Sequence, residues 1–110
     1  MSNDIEIKTI NKYSCMIFSS RSGDADTKAV ILLQAENEFL GYLYFMADGC
    51  NLPEPEKKYN LYYYYFHFQD MPSVVDMLRN ESPVYIFYME SNKQNSRIST
   101  TMELVGEGEI

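Results

Sequence analysis

The aromatic run LYYYYFHF, at residues 61–68, is the stretch that decides the fold. Aromatic residues are enriched in strands, and along a strand successive side chains point to opposite faces. One face would carry Tyr62, Tyr64, Phe66 and Phe68, and the other Leu61, Tyr63, Tyr65 and His67. The run therefore predicts a strand with large, flat neighbours on both of its faces.

The sequence leaves two interpretations of this run open. In the first, one face packs under a helix and the other stacks on neighbouring strands through aromatic cross-strand pairs. In the second, the tyrosines form a recognition surface, because tyrosine offers a large contact area, few rotamers and a polar hydroxyl. We take Tyr62 and Tyr64 as the candidate interaction residues of this second interpretation.

One helix is predicted directly after the run. Apolar side chains recur at helical spacing from Met71 to Leu78, which is typical of an amphipathic helix. Asp70 is placed to act as the N-cap, with its carboxylate accepting a hydrogen bond from the N–H of Ser73. The pair at residues 82–83, Ser-Pro, ends the segment. We therefore expect a short helix over residues 71–80.

Strand-like segments lie on both sides of this helix. They are residues 5–10, 13–20, 27–34, 39–46, 84–89 and 98–105. The first of these is expected to pair with the second, and the third and fourth are expected to form a hairpin with Asn37 near its tip. Gly41, inside a strand, indicates a bulge or the close approach of another group. Residues 51–60, which contain two prolines, are predicted to form the longest loop.

These elements predict an α+β fold. We expect a mostly antiparallel sheet of about five to seven strands with one short helix, residues 71–80, packed on one face. Residues 1–110 are expected to form a single domain. A turn is predicted at residues 21–26, and residues 106–110 are expected to be a frayed tail.

Charge limits the partners of this chain. It has 9 Lys and Arg against 16 Asp and Glu, a formal net charge of -7, which repels phosphate backbones and anionic lipids. Direct nucleic-acid binding and membrane binding are therefore not expected. Five carboxylates lie between Lys28 and Lys57, a stretch without a basic residue: Glu36, Glu38, Asp48, Glu54 and Glu56. We predict that they form an electronegative interaction surface; the alternative is that they sit on hairpin tips and keep the sheet soluble.

Catalytic and metal-binding patterns are not evident in the sequence. His67 is the single histidine, and two isolated cysteines, Cys15 and Cys50, give no ligand spacing for zinc. We therefore expect no catalytic residue, no metal and no cofactor. Free thiols and an acidic N-terminus without a signal-peptide pattern favour a cytoplasmic protein.

The functional hypothesis is a non-enzymatic, acidic protein-binding module that engages a basic protein partner. An inhibitor or immunity-type protein that covers the nucleic-acid-binding surface of a toxin or nuclease fits this pattern. Two alternatives remain open. One is a homo-oligomeric structural module, in its simplest form a homodimer, and the other is a small-molecule binder with a tyrosine-lined pocket.

Overall fold

The computed structural model describes residues 4–19 and 26–100. Within them the chain is α+β, as predicted, with eight strands in two mostly antiparallel sheets and one short helix packed against them. The strands are β1 (Ile5–Ile10), β2 (Lys12–Ile17), β3 (Thr27–Gln34), β4 (Phe39–Met46), β5 (Glu56–Lys58), β6 (Leu61–His67), β7 (Val84–Met89) and β8 (Arg97–Thr100). The helix, α1, spans Met71–Asn80, which confirms its predicted bounds.

The larger sheet has five strands in the order β2-β3-β4-β6-β5. The predicted hairpin of β3 and β4 is confirmed, and the N–H of Ala35 closes its turn by donating to the carbonyl oxygen of Glu38 at 2.8 Å. The strands β4 and β6 are parallel. A parallel pair needs a crossover connection, and residues 47–60 supply it. The predicted loop at 51–60 also contains the short edge strand β5.

The smaller sheet has three strands in the order β1-β7-β8, all antiparallel. The predicted pairing of segment 5–10 with segment 13–20 is wrong, because β1 pairs with β7 and β2 pairs with β3. Asn11 alone separates β1 from β2. A tight hairpin needs at least two loop residues, so the chain does not reverse at Asn11 and instead passes from one sheet into the other.

The core lies between the five-stranded sheet and a second layer made of α1 and the three-stranded sheet. Side chains of both sheets and the helix form one buried cluster. Its members are Ala29, Ile31, Leu33, Leu40, Leu43, Phe45, Tyr62, Tyr64, Met71, Val74, Ile86 and Tyr88. Alternate residues of each central strand point into this cluster, because the side-chain period of a strand is two. The opposite face of the five-stranded sheet is therefore turned away from the core.

The start of α1 differs from the prediction. Asp70 occupies the N-cap position but makes no side-chain capping bond, so the predicted bond to the N–H of Ser73 is wrong. An N-cap residue that bonds the helix normally has extended backbone angles. Asp70 has φ −89° and ψ −3° because it ends the 3₁₀ turn Phe68–Asp70 that leads into the helix.

Gly41 confirms the predicted close approach of another group. Its backbone lies against β6, and an added Cβ would lie 2.1 Å from the carbonyl oxygen of Tyr62. The rest of the predicted strand pattern is only partly described. The last strand is seen as Arg97–Thr100, and residues 101–105, the tail 106–110 and residues 21–25 of the predicted turn lie outside the described residues.

Candidate interaction surface

Four tyrosines form two stacked pairs on the outward face of the five-stranded sheet. The rings of Tyr42 and Tyr63 have centroids 5.5 Å apart at an interplanar angle of 27°, and those of Tyr44 and Tyr65 have centroids 5.5 Å apart at 17°. Tyr42 also stacks on Tyr44 at 5.5 Å. We call these four residues the tyrosine face.

The register of two parallel strands creates this arrangement. Tyr42 lies opposite Tyr63 and Tyr44 lies opposite Tyr65 in the pairing of β4 with β6. Residues directly opposite each other in a sheet have neighbouring side chains on the same face. The intervening residue pair, Leu43 and Tyr64, points the other way, into the core. Alternation in both strands therefore places four rings side by side.

The tyrosine face is half-buried and turned away from the rest of the described chain. Each of its four residues is partly exposed, since α1 and the three-stranded sheet pack against the opposite face of the sheet. Phe39 extends the aromatic surface at one end by packing edge-on against Tyr42, with ring centroids 5.2 Å apart. The result is an open aromatic surface on a sheet rather than the wall of a cavity.

Charged groups on the edge strand β5 adjoin this face. Lys58 Nζ lies 5.7 Å from the centroid of Tyr63 and 3.6 Å from a carboxylate oxygen of Glu56. Burial raises the pKa of the Tyr65 hydroxyl; nearby Glu56 raises this pKa further and Lys58 lowers it. Burial, with a smaller effect of the neighbouring tyrosines, also raises the pKa of Tyr44. These hydroxyls therefore stay protonated at neutral pH and can donate hydrogen bonds.

The five predicted carboxylates do not form one cluster; they are spread around the perimeter of the five-stranded sheet. Glu36 and Glu38 lie in the turn before β4, and Glu38 forms an ion pair with Lys8 at 3.6 Å. Asp48 follows β4 at the opposite end of the sheet, roughly 25 Å away for an eight-residue strand. Its Oδ1 accepts a hydrogen bond from the N–H of Gln69 at 2.7 Å.

The remaining two predicted carboxylates lie at the β5 edge of the same sheet. Glu54 is exposed just before β5, and Glu56 is the first residue of that strand. Glu56 lies opposite Tyr63 in the pairing of β5 with β6. The β5 edge beside the tyrosine face therefore carries Glu54 and Glu56 together with Lys57 and Lys58, whereas Glu38 and Asp48 contact β1 and the turn before α1, in the layer on the other side of the sheet.

The two predicted interaction tyrosines lie in the core. Tyr62 and Tyr64 are each 2% exposed, so the described chain does not present them as a surface. The Tyr62 hydroxyl donates to Oε1 of Glu6 at 2.5 Å, and the Tyr64 hydroxyl donates to the carbonyl oxygen of Phe87 at 2.6 Å. Both bonds join the five-stranded sheet to the three-stranded sheet. These hydroxyls explain why tyrosine can be buried here without leaving an unsatisfied polar group.

Sequence reasoning missed the tyrosines that the structure brings together on the open face. The period of two correctly predicts that Tyr63 and Tyr65 share a face of their strand, but it does not single them out as interaction residues. Tyr42 and Tyr44 alternate with buried residues in β4, and this alternation was the available signal. The parallel register that places β4 beside β6 has no local signature, because it depends on the crossover between the two strands.

The described part of the chain has few groups suited to catalysis or metal binding. His67 Nε2 donates to the carbonyl oxygen of Cys50 at 2.7 Å, which fixes the ring at the end of β6. Within residues 4–19 and 26–100, no group of three or more His, Cys, Asp and Glu side chains is arranged to hold a metal ion. Cys15 is exposed, but partial desolvation of its thiol raises the pKa, which disfavours the reactive thiolate.

Comparisons with protein-family models, with curated proteins and with solved structures find no match for this chain. None of the helices among the described residues has the length and apolar character needed to cross a membrane.

Proposed function

We propose that this chain is a non-enzymatic protein-binding module that engages a basic protein through the tyrosine face and the carboxylates around it. The observation that carries the proposal is the stacking of four tyrosine rings on a sheet face that no other described element covers. Tyrosine is enriched at protein interfaces, and the residues that contribute most to binding are enriched in tyrosine, tryptophan and arginine.

The charge of the chain supports a basic partner. A formal net charge of -7 and carboxylates at both ends and one edge of the sheet attract a positively charged protein and speed its encounter. Arginine suits this surface best, because a guanidinium group can stack on a tyrosine ring and also bond a carboxylate in two places. Lys58 over Tyr63 already makes one such cation–π contact within the chain.

A more specific version of this proposal is that the chain is an inhibitor or immunity-type protein. The nucleic-acid-binding surface of a toxin or nuclease carries the arginines and lysines that hold phosphates. An acidic surface with exposed aromatic rings can occupy that groove in place of the nucleic acid.

A defined basic probe tests the proposal without knowledge of the partner. An arginine-rich peptide is titrated into the full chain, with affinity measured by calorimetry and the contact surface mapped by backbone-amide NMR. We expect the shifted amides to lie in β4, β5 and β6. The double variant Tyr44→Thr/Tyr65→Thr keeps strand-compatible residues and should weaken binding about tenfold or more, because tyrosine is enriched among the few interface residues whose truncation costs over about 1 kcal/mol.

Tyr85→Thr is the matched control for the lost rings. Tyr85 is a partly exposed strand residue on β7, in the three-stranded sheet and outside the tyrosine face, so this variant should bind like the wild-type chain. Affinity should also fall with rising salt, and Glu54→Gln/Glu56→Gln should reduce the slope of that dependence. Equal affinities of the double variant and the wild type, or amide shifts confined to the three-stranded sheet, would contradict the proposal.

A further inference from the structure

The strand β2 forms an exposed edge of the five-stranded sheet. It pairs with β3 on one side, and no described strand pairs with its other side. Met16 is 45% exposed and Ile17 is 64% exposed. Natural sheets usually protect such edges with charged residues or proline. Apart from Lys12 at its start, β2 contains neither, and residues 13–18, YSCMIF, are uncharged, so this edge is open to pairing with another strand.

The hydrogen-bond pattern identifies which backbone groups face outward. The N–H of Phe18 donates to the carbonyl oxygen of Lys28 at 3.0 Å, and the register then makes Met16 and Val30 a hydrogen-bonded pair. Backbone groups alternate in direction along an antiparallel strand. The N–H and C=O groups of Tyr13, Cys15 and Ile17 therefore point away from β3, toward the open edge.

An apolar groove continues this edge on the core side of the sheet. Ile17 lies opposite the buried Ala29, so its side chain is on the face that carries α1. Ile17, Phe68, Met71 and Val75 line an open depression of about 430 Å³ at the start of the helix. A second depression of about 260 Å³ lies at the other end of β2, beside Tyr13 and Leu78.

We propose that β2 pairs antiparallel with β2 of a second copy of this chain, in the two-fold register that sets Cys15 opposite its own counterpart. In this register Tyr13 of one copy lies opposite Ile17 of the other, and all three outward-facing residues form hydrogen-bonded pairs. The ring of Tyr13 from each copy then enters the groove beside Ile17 of the other. The two five-stranded sheets join into one continuous sheet.

The two-fold register favours a second copy as the occupant, because each outward-facing residue of β2 then lies opposite an uncharged residue of the other copy, although the pairing is weak. Two chains of formal charge -7 repel each other over most of their surfaces, and the uncharged residues 13–18 allow approach at the lowest electrostatic cost. A six-residue strand is about 20 Å long. The pairing therefore buries less than the roughly 1,200 Å² at which standard interfaces begin, and the dimer should dissociate on dilution.

The pairing gives the dimer two tyrosine faces on the same side of one sheet. Six strand spacings of about 4.8 Å separate the midpoints of the two faces, a distance of roughly 30 Å before twist is included. Two linked sites bind a repeated or extended basic partner more tightly than one site does. This consequence rests on the proposed function, whereas the pairing itself does not.

Disulfide trapping tests the register. Residues that form a hydrogen-bonded antiparallel pair have Cα atoms about 5.5 Å apart, within the range that a disulfide spans. With copper(II) as the oxidant, the two thiols lose two protons and pass two electrons to two copper ions as the S–S bond forms. We expect a covalent dimer from the wild-type chain and from Cys50→Ser, and none from Cys15→Ser.

Sedimentation equilibrium in reducing buffer tests whether the chain dimerises through the β2 edge. The mean mass of the wild-type chain should rise with concentration toward twice the 12.9 kDa of the monomer. Ile17→Lys should stay monomeric, because it places a charge on the exposed edge. Ile7→Lys is the matched control, since Ile7 is 57% exposed on β1 and the change in charge is the same. Far-UV circular dichroism checks that both variants keep their strands.

A synthetic peptide of residues 12–17 tests whether the β2 edge pairs specifically with its own sequence or binds any extended peptide. It should shift the amide resonances of Tyr13, Cys15 and Ile17, and a scrambled peptide should not. Equal binding of both peptides would overturn self-pairing, as would a constant monomer mass, a dimer that survives Ile17→Lys, or crosslinking through Cys50. The double variant Tyr44→Thr/Tyr65→Thr should dimerise like the wild type, so failure of the tyrosine face and failure of the pairing are distinguishable.

Discussion

At Gly41 the backbone of β4 lies directly against that of β6. An added Cβ would meet three backbone atoms of Tyr62, the nearest at 2.1 Å, and φ is +153°, a value that side chains disfavour. We expect Gly41→Ala to lower the free energy of unfolding by about 3–4 kcal/mol, because it combines backbone strain with overpacking. Urea denaturation measures this loss.

Gly49→Ala is the matched comparison for this residue. Gly49 also has a positive φ, +86°, but no atom lies within 4 Å of its added Cβ. Its replacement should therefore cost only the backbone penalty of about 1–2 kcal/mol. Equal losses for the two variants would mean that β6 moves away from β4 without cost, and that the close approach is not rigid.

The helix α1 is an element held by its apolar face and not by its cap. Met71 is 6% exposed in the core, whereas the Asp70 side chain makes no capping bond. We expect Met71→Ala to reduce the free energy of unfolding by about 2–3 kcal/mol through the cavity it leaves. Asp70→Ala should change it by less than about 0.5 kcal/mol. A loss near 1 kcal/mol for Asp70→Ala, as measured by thermal unfolding, would indicate a working cap.

The two sheets of the molecule are joined by a partly exposed hydrogen-bonded cluster around Glu6. Glu6 on β1 accepts hydrogen bonds from Lys57 Nζ at 2.7 Å and from the Tyr62 hydroxyl. The Lys57 bond, followed by the Tyr62 bond, holds the pKa of Glu6 below its usual value of 4.5. A lowered pKa in the folded state contributes stability that is present above the unfolded pKa and is lost as pH falls through the folded one.

Glu6→Gln should therefore be less stable than the wild-type chain at neutral pH. The difference should shrink as pH falls below about 4.5, because the wild-type carboxylate then takes up a proton and loses the same interactions. Glu54→Gln is the control, since Glu54 is exposed and makes no ion pair within the described residues. Urea titrations at several pH values measure the free energy of unfolding of both variants and of the wild-type chain. If the difference between Glu6→Gln and the wild type does not change with pH, the Glu6 charge does not have this role.

The sequence by itself determined the helix and seven of the eight described strands, whereas the short strand β5 lies in the predicted loop. Helical spacing of apolar residues defined α1, runs of strand-forming residues defined the strands, and the turn around Asn37 defined the hairpin, because each of these signals is local. It also determined the two faces of the aromatic run. Tyr62 and Tyr64 share one face and Tyr63 and Tyr65 share the other whatever strand lies beside them, since this follows from the period of two.

Only the tertiary structure decided which of these faces is open. The helix and the three-stranded sheet cover the side of Tyr62 and Tyr64, and the parallel pairing of β4 with β6 brings Tyr42 and Tyr44 beside Tyr63 and Tyr65. The passage of the chain from one sheet to the other at Asn11 likewise leaves β2 as an edge. Both outcomes depend on contacts between residues far apart in the chain, and local preferences do not encode which distant strand will be the neighbour.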